Sequence, residues 1–351
     1  MIKVLVVDDS AFMRKLFSET INSDPGLNVV DTARHGVQAL EKIPKLEPDI
    51  ITLDIEMPKM DGLKTLRKIK KSHPELPVLM VSALNNRDTV MEALDLGAFD
   101  FIPKPSGSIS LEIDDIADEL LEKLKAGVKA CDSYHQQRNA TSSQTIAPDR
   151  PAKTDKKIKP RDDFPVIAMG ASSGGPRALK DVLGSLPPDI PAAFAVVQHM
   201  PEGFTTSLAE RLDLETNLSV KEAEEGDELK PASALLAPGN FHMEFDNQGV
   251  KLNKKPKRWG VRPCVDYMLS SLAPIYQERI IGVVLTGMGS DGGEGMQAVK
   301  KHGGYGLVED ESTALVYGMP RTVINKGAYD RILPRDKIPQ AIVNLTERRE
   351  V

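Results

Sequence analysis

Short apolar runs alternate with helical stripes over the first 125 residues of the chain. The runs predict strands at residues 3–7, 28–31, 50–53, 78–81 and 99–102. The segments between them carry apolar residues at helical spacing, as in Met13, Phe17 and Ile21. Five such cycles are typical of a parallel sheet with helices on both faces. Pro44 is expected to kink or end the second helix near Ile43.

Polar side chains follow the strands of this first region. Asp8 and Asp9 come after the first strand, Asp54 ends the third, Ser82 ends the fourth and Lys104 follows the fifth. Because the carboxyl ends of parallel strands meet at one edge, the three acids are expected to converge there and repel one another. Such a site favours a divalent cation, and Mg²⁺ suits oxygen ligands. A lysine and a hydroxyl beside it could hold the oxygens of a phosphoryl group.

The apolar periodicity weakens after a helix predicted from residue 111 to about residue 128. From residue 129 to residue 163 the chain is polar or basic and contains several prolines. We interpret this stretch as an exposed linker rather than a nucleic-acid patch. The predicted organisation is a first domain at 1–125, a flexible linker at 126–163 and a second domain at 164–351.

The second domain opens with a buried strand and a turn of small residues. Four apolar residues at 166–169 are followed by Gly-Ala-Ser-Ser-Gly-Gly, and Pro176 then suits the first turn of a helix. Ser172 therefore lies where a strand ends and a helix begins, and backbone N–H groups of that turn could stabilise an oxyanion. The alternatives are a glycine turn that cradles phosphate and a plain tight connection.

Further apolar runs extend the strand and helix pattern of this domain. They predict strands near 193–197, 218–222, 234–236, 280–285 and 305–308. A hairpin is expected to turn at 247–249. Helices are expected near 204–212, 265–272, 293–302, 316–324 and 338–345. The pattern predicts a second doubly wound, mostly parallel α/β/α sandwich.

Two further residues with catalytic chemistry follow strands of the second domain. His199 comes just after the strand at 193–197, and Asp291 lies in the glycine-rich turn after the strand at 280–285. Alone, His199 is better explained as a surface histidine, and Asp291 could be no more than a helix N-cap. Together with Ser172 they supply a nucleophile, a base and an orienting carboxylate. The chain order and the lack of a G-x-S-x-G elbow differ from α/β-hydrolases, which indicates a different sheet.

Composition narrows the class of protein. At 351 residues, with 40% hydrophobic and 27% charged residues, the chain has room for two globular domains. A net charge of −6 argues against nucleic acid as a partner. No apolar run reaches membrane-spanning length and the first residues read as a strand, so we expect a cytoplasmic protein. Cys131 and Cys264 are too few for a disulfide framework and lack zinc-site spacing.

Four motifs of the first domain resemble those of response-regulator receiver domains: Val-Asp-Asp-Ser (7–10), Leu-Asp-Ile-Glu-Met-Pro-Lys-Met-Asp-Gly (53–62), Val-Ser-Ala (81–83) and Pro-Lys-Pro (103–105). The resemblance implies a flavodoxin-like fold in which Asp54 accepts phosphate from a histidine kinase.

The same resemblance implies roles for the neighbouring residues. Asp9, Asp54 and the backbone oxygen of Glu56 would ligate Mg²⁺, with Asp8 assisting. Ser82 and Lys104 would sense the phosphoryl group, and Phe101 stands where such domains often carry a switch aromatic. The competing interpretation is a flavodoxin-like module that is never phosphorylated.

The second domain resembles the catalytic domain of chemotaxis protein-glutamate methylesterases. The matching motifs are Gly-Ala-Ser-Ser-Gly-Gly (170–175), Gln-His-Met-Pro (198–201), Ala-Pro-Gly-Asn (237–240), Arg-Pro-Cys-Val-Asp (262–266) and Leu-Thr-Gly-Met-Gly-Ser-Asp-Gly (285–292). The resemblance implies Ser172 as nucleophile, His199 as base and Asp291 as its orienter, with the backbone around Met288 as a candidate oxyanion hole. The family reads Ser-Thr where this chain has Ser172 and Ser173, so a second hydroxyl competes.

The two resemblances imply a phosphorylation-regulated enzyme that hydrolyses glutamate γ-methyl esters of chemoreceptors and deamidates receptor glutamines. We expect Mg²⁺ in the receiver, no cofactor in the catalytic domain, no nucleic acid, no membrane insertion and a monomer. A transcription factor would need a helix-turn-helix effector with a basic recognition face, which this composition does not favour. A silent docking module would not need Ser172, His199 and Asp291 at three strand ends.

Overall fold

A computed structural model describes residues 1–83, 86–104, 112–139 and 164–347, with the backbone alone at 112–116 and 131–139. The first domain is a parallel sheet of β1 (Ile2–Val7), β2 (Leu27–Ala33), β3 (Ile50–Asp54), β4 (Val78–Ser82) and β5 (Asp100–Pro103). The strand order is β2-β1-β3-β4-β5, a doubly wound order whose switch point lies between β1 and β3. The predicted parallel α/β domain is confirmed.

Five helices accompany this sheet within the described residues: α1 (Ala11–Ser23), α2 (Gly36–Leu46), α3 (Gly62–Ser72), α4 (Arg87–Asp95) and α5 (Glu112–Asn139). The prediction that Pro44 ends or kinks the second helix near Ile43 was wrong about its end, because α2 runs through Pro44 to Leu46. Proline removes one backbone N–H donor from the helix. Because Pro44 lies in the last turn of α2, few helical hydrogen bonds beyond that one are affected. The left-handed Glu47 then terminates it, its N–H bonding to the Ile43 carbonyl.

The helix that closes the first domain is longer than predicted. It extends past residue 128 to Asn139, so residues 126–139 of the predicted linker are helical. The residues after 128 lack an apolar stripe, but Lys, Ala, Gln and Arg are good helix formers and neither Gly nor Pro interrupts them. The predicted helix start at 111 and the rest of the predicted linker, from 140 to 163, lie outside the described residues.

The second domain is built on a seven-stranded parallel sheet in the order β14-β13-β12-β6-β7-β9-β8. Its strands are β6 (Val166–Ala171), β7 (Ala193–Gln198), β8 (Ser219–Glu222), β9 (Ser233–Leu236), β12 (Ile280–Val284), β13 (Tyr305–Glu309) and β14 (Arg331–Leu333). The predicted hairpin is present as β10 (His242–Asp246) and β11 (Gly249–Asn253). The three-residue β14 was missed, since Arg-Ile-Leu carries no apolar run.

Helices cover both faces of this sheet: α6 (Gly175–Leu183), α7 (Phe204–Glu215), α8 (Val265–Tyr276), α9 (Gly293–Lys301), α10 (Gly318–Asn325) and α11 (Ile338–Glu347). Every residue of the central strands β6, β7 and β12 is buried as a result. Each fully buried aliphatic side chain contributes about 1.5–3 kcal/mol, so the centre of the sheet is a rigid support for the turns at its edge. Among the described helices, none is both long and apolar enough to cross a membrane.

The two domains contact each other through α4 and β5 of the first and the α6–α7 side of the second. The rings of Phe101 and Phe204 pack with centroids 4.7 Å apart. The buried hydroxyl of Ser173 donates to the carboxylate of Asp100 over 2.6 Å. Between α4 and α7, Arg211 of the second domain forms an ion pair with Asp95 of the first.

Candidate active site

Ser172 is the first residue after β6, as predicted. Ala171 at the end of β6 pairs in register with Gln198 at the end of β7. The Ser172 N–H donates to the Thr286 carbonyl over 3.0 Å, which anchors the turn to the strand end on the other side. Gly174 has φ +76°, a left-handed conformation that glycine adopts without strain, and it forms the N-cap of α6. The chain therefore reverses sharply just after Ser172.

His199 occupies the matching position on the neighbouring strand. It is the first residue after β7, and its N–H donates to the Ala171 carbonyl over 3.1 Å. Since β6 and β7 are paired up to Ala171 and Gln198, Ser172 and His199 leave the sheet side by side. The His199 Nε2 lies 2.8 Å from the Asp291 Oδ2.

Asp291 is buried and its carboxylate is fully engaged. Besides His199, it accepts the backbone N–H groups of Val265 at 2.6 Å, Asp266 at 2.9 Å and Gly292 at 2.8 Å, and the thiol of Cys264 at 3.1 Å.

These partners decide both its charge and its role. Burial alone would raise the pKa of Asp291, but the bonds and charge of His199 and the backbone N–H groups of Val265 and Asp266 hold the pKa below its ordinary value. The N-cap of α9 is Gly292, so Asp291 is not the simple cap considered from the sequence. It binds the first turn of α8 and His199 together.

The glycine-rich turn after β12 passes close to Ser172. A Cβ on Gly287 would lie only 2.9 Å from the Cβ of Ser172, so the backbone can approach the serine only because residue 287 is glycine. The Gly287 carbonyl accepts N–H groups of Gly318 and Met319 at 3.0 and 2.9 Å, which hold the turn in place. Met288, the residue predicted from the family to border the oxyanion site, follows directly in this turn and is half-buried.

Ser173, the competing hydroxyl, has different surroundings from Ser172. Its side chain is buried and donates to Asp100 of the first domain. Its carbonyl accepts the Thr286 hydroxyl at 2.9 Å. Both groups of Ser173 are thus committed to structural bonds, while the side chain of Ser172 is half-buried at the strand end.

Gln198 was not singled out from the sequence. Its side chain is buried, and its Nε2 donates to the carbonyl of Ser172 at 2.8 Å and to that of His199 at 3.2 Å. A Cβ on Gly175 would overlap the Gln198 amide, so this glycine makes the room. The available signal was one polar residue at the end of the otherwise apolar strand Ala-Phe-Ala-Val-Val-Gln.

The acidic residues of the first domain also meet at a sheet edge. Oxygens of Asp8, Asp9 and Asp54 all lie within 4.8 Å of one another, with Asp8 and Asp54 buried and Asp9 exposed. The Lys104 ammonium lies 2.8 Å from Asp54 and 3.0 Å from Asp8. Burial, and then the charges of Asp8 and Asp9, raise the pKa of Asp54 to about 6 against the opposing effect of Lys104. Hard oxygen donors under mutual repulsion are a donor set that fits Mg²⁺.

The other predicted phosphoryl-site residues lie near this edge. Asp9 and Glu56 line a cavity of about 820 Å³, together with Ile55, the residue after Asp54. Ser82 is buried at the end of β4, its hydroxyl donating to the Ala83 carbonyl at 2.9 Å, and its own carbonyl accepts the Lys104 N–H at 2.7 Å. Phe101 is buried against Phe204 of the second domain.

Comparison with known proteins matches a different family to each of the two parts of the chain. Residues 4–114 match the response regulator receiver domain and residues 167–342 match the CheB methylesterase family. A protein-glutamate methylesterase/protein-glutamine glutaminase of Pyrococcus horikoshii is 44% identical over 353 aligned residues, 99% of this chain and 94% of the relative. One of Symbiobacterium thermophilum is 46% identical, over 97% of this chain and 96% of the relative.

A solved structure resembles the second domain. The crystal structure of the Thermotoga maritima CheB methylesterase catalytic domain has 46% sequence identity and a TM-score of 0.50, and the match covers 52% of this chain and 98% of that one.

Proposed function

This chain belongs to the protein-glutamate methylesterase/protein-glutamine glutaminase family, and we propose that Ser172, His199 and Asp291 carry out its hydrolytic reaction. The observation that carries the proposal is the bond of 2.8 Å from His199 to the buried Asp291, with His199 beside Ser172 at the ends of paired strands. A docking module that catalyses no reaction would not need a buried carboxylate that orients a histidine.

The proposed reaction begins with attack of the Ser172 hydroxyl on the γ-carbonyl of a glutamate methyl ester. His199 takes the serine proton and later returns it to the departing methanol, or to ammonia when the substrate is a glutamine. Because Nε2 of His199 faces Asp291, Nδ1 is the nitrogen left for Ser172. Water then hydrolyses the acyl-enzyme, again with His199 as base, and releases glutamate.

Asp291 and the turn at 287–289 have supporting roles in this proposal. Asp291 stays ionised, selects the tautomer of His199 and stabilises its protonated form. The backbone around Met288 is proposed to donate to the oxyanion, since its turn contacts Ser172. The catalytic domain is proposed to need no metal.

Asp54 is proposed to be the phosphoacceptor, with a chemotaxis histidine kinase as donor and methyl-accepting chemoreceptors as substrates of the second domain. Asp8, Asp9, Asp54 and the backbone oxygen of Glu56 would hold Mg²⁺, which would neutralise charge on the phosphoryl oxygens when bound. Lys104 and Ser82 are proposed to contact the phosphoryl group. We further propose a cytoplasmic monomer that enters no membrane and binds no nucleic acid.

We propose that the unphosphorylated receiver restrains the enzyme by packing beside its active site. Asp100 holds Ser173, the neighbour of Ser172, and the Arg87 guanidinium sits where a Cβ of Gly203 would be, four residues after His199. Phosphorylation of Asp54 would shift the face that carries Phe101 and loosen these contacts. The test is methanol release from methylated receptor, with a small phosphodonor present and absent.

A further inference from the structure

A strongly basic loop connects the hairpin of the second domain to α8. Residues 254–262, Lys-Lys-Pro-Lys-Arg-Trp-Gly-Val-Arg, contain five cationic residues and no acidic one, in a chain whose net charge is −6. We call this segment the basic loop. Lys254 and Lys257 are exposed. Two ion pairs, Lys255 with Glu244 and Arg258 with Glu294, tie the loop to the body of the domain.

The loop displays the chain's single tryptophan to solvent. Trp259 is 50% exposed and has φ +55°, a left-handed conformation that a bulky residue rarely adopts. Its indole N–H donates to the buried carboxylate of Asp266 over 2.9 Å, which fixes the direction of the ring. A left-handed backbone conformation at a bulky residue costs free energy of folding. Residues held in such conformations are concentrated at functional sites. Tryptophan and arginine are also enriched where protein interfaces gain most of their energy.

Short bonds connect the basic loop to both sides of the active site. The Asp266 that holds Trp259 donates its own N–H to Asp291, the partner of His199. At the other end of the loop, Arg262 donates to the Asn240 side chain over 2.7 Å. Asn240 in turn donates to Glu202, three residues after His199, over 3.2 Å. The loop is therefore linked, through Asp266 on one side and through Asn240 on the other, to the segments that carry Asp291 and His199.

We propose that the basic loop and Trp259 form a docking surface for an acidic segment of the protein substrate, the segment that carries the glutamyl ester. The inference rests on the proposed function. Each turnover leaves a new carboxylate on the substrate, so a segment with several such glutamyl side chains is anionic and complements the loop. Trp259 supplies apolar contact area, and the exposed Lys254 and Lys257 supply attraction that salt weakens.

The test compares two substrates on the full-length protein, with a small phosphodonor present throughout. One substrate is methylated receptor, and the other is a small N-acylated glutamate γ-methyl ester amide that is too short to reach the loop. The variants are Trp259→Ala and the double reversal Lys254→Glu/Lys257→Glu. The matched control is Lys230→Glu/Lys301→Glu, two exposed lysines of the same domain outside the basic loop.

The quantity measured is the ratio of kcat/KM for receptor to kcat/KM for the small ester. We expect this ratio to fall about tenfold or more in the double reversal, and also to fall in Trp259→Ala, while the control keeps the wild-type ratio. Raising the salt concentration should lower the wild-type ratio more than that of the double reversal. A double reversal with the wild-type ratio would overturn the docking surface. Failure of the wild type on both substrates would instead overturn the proposed function.

Discussion

Ser172 and Ser173 have the same side chain, are adjacent in the chain, and yet have different surroundings. The Ser173 hydroxyl is buried against Asp100, whereas Ser172 lies at the strand end beside His199. The sequence placed both serines in one turn and left their roles open except through the family resemblance. Burial and partners distinguish them, and these depend on a domain contact that no local pattern encodes.

Replacing Ser172 with Ala should therefore remove most methanol release, by a factor on the order of a thousand or more, as expected for a triad nucleophile. Ser173→Ala should keep most of the activity, because its hydroxyl serves the domain contact. Ser172→Ala should bind receptor and unfold at a temperature close to that of the wild type, whereas Ser173→Ala loses the buried bond to Asp100 and should unfold at a lower temperature. A dead Ser173→Ala beside an active Ser172→Ala would shift the nucleophile by one residue.

Gln198 ties the two reactive turns together through their carbonyl oxygens. Gln198→Leu keeps the approximate size but removes both donors, each bond being worth about 0.5–1.5 kcal/mol. We expect kcat for a small glutamyl ester to fall by about tenfold with little change in KM, since orientation and not binding is lost.

The matched control is Asn217→Leu. This substitution removes a hydrogen bond of 3.0 Å that the Asn217 side-chain amide donates to the Leu186 carbonyl in the same domain. It should lower the melting temperature without lowering kcat. Equal kcat values in the two variants would mean that Gln198 contributes only stability.

At the scale of elements, the parallel strands bring the reactive residues together in both domains. The strand positions were predictable because the buried runs of a parallel sheet are short, apolar and bounded by turn residues. The end of α2, the full length of α5 and the strand β14 were not. In each case the local sequence is compatible with more than one secondary structure. Packing against the rest of the domain decides which one forms.

The carboxyl ends of β1 and β3 bring Asp8, Asp9 and Asp54 together, and the repulsion among these carboxylates should make this site responsive to a cation. Mg²⁺ should raise the melting temperature of the wild-type protein more than that of Asp54→Asn, as measured by calorimetry. Asp54→Asn should also lose acid-labile labelling by a small phosphodonor, and a chelator should abolish labelling of the wild type. Full labelling of folded Asp54→Asn would refute the assignment of the phosphoacceptor.

At the scale of the whole molecule, the contact between the domains determines what regulation is possible. Phe101 packs on Phe204, and Asp100 binds Ser173, so the receiver touches the catalytic domain through the first residues of β5, beside the nucleophile. The linker predicted at 126–163 was interpreted from composition alone. The contact between the receiver and the catalytic domain could not be derived from sequence, because it joins residues far apart in the chain through side-chain geometry.

The most direct measurement is methanol release from methylated receptor by three forms: resting full-length protein, full-length protein with a phosphodonor, and a fragment lacking residues 1–150. Occlusion predicts that the fragment and the phosphorylated protein both exceed the resting protein, and that the fragment ignores the phosphodonor. Circular dichroism would show that the fragment is folded. A folded fragment no faster than the resting protein would contradict occlusion and indicate that the phosphorylated receiver activates the catalytic domain directly.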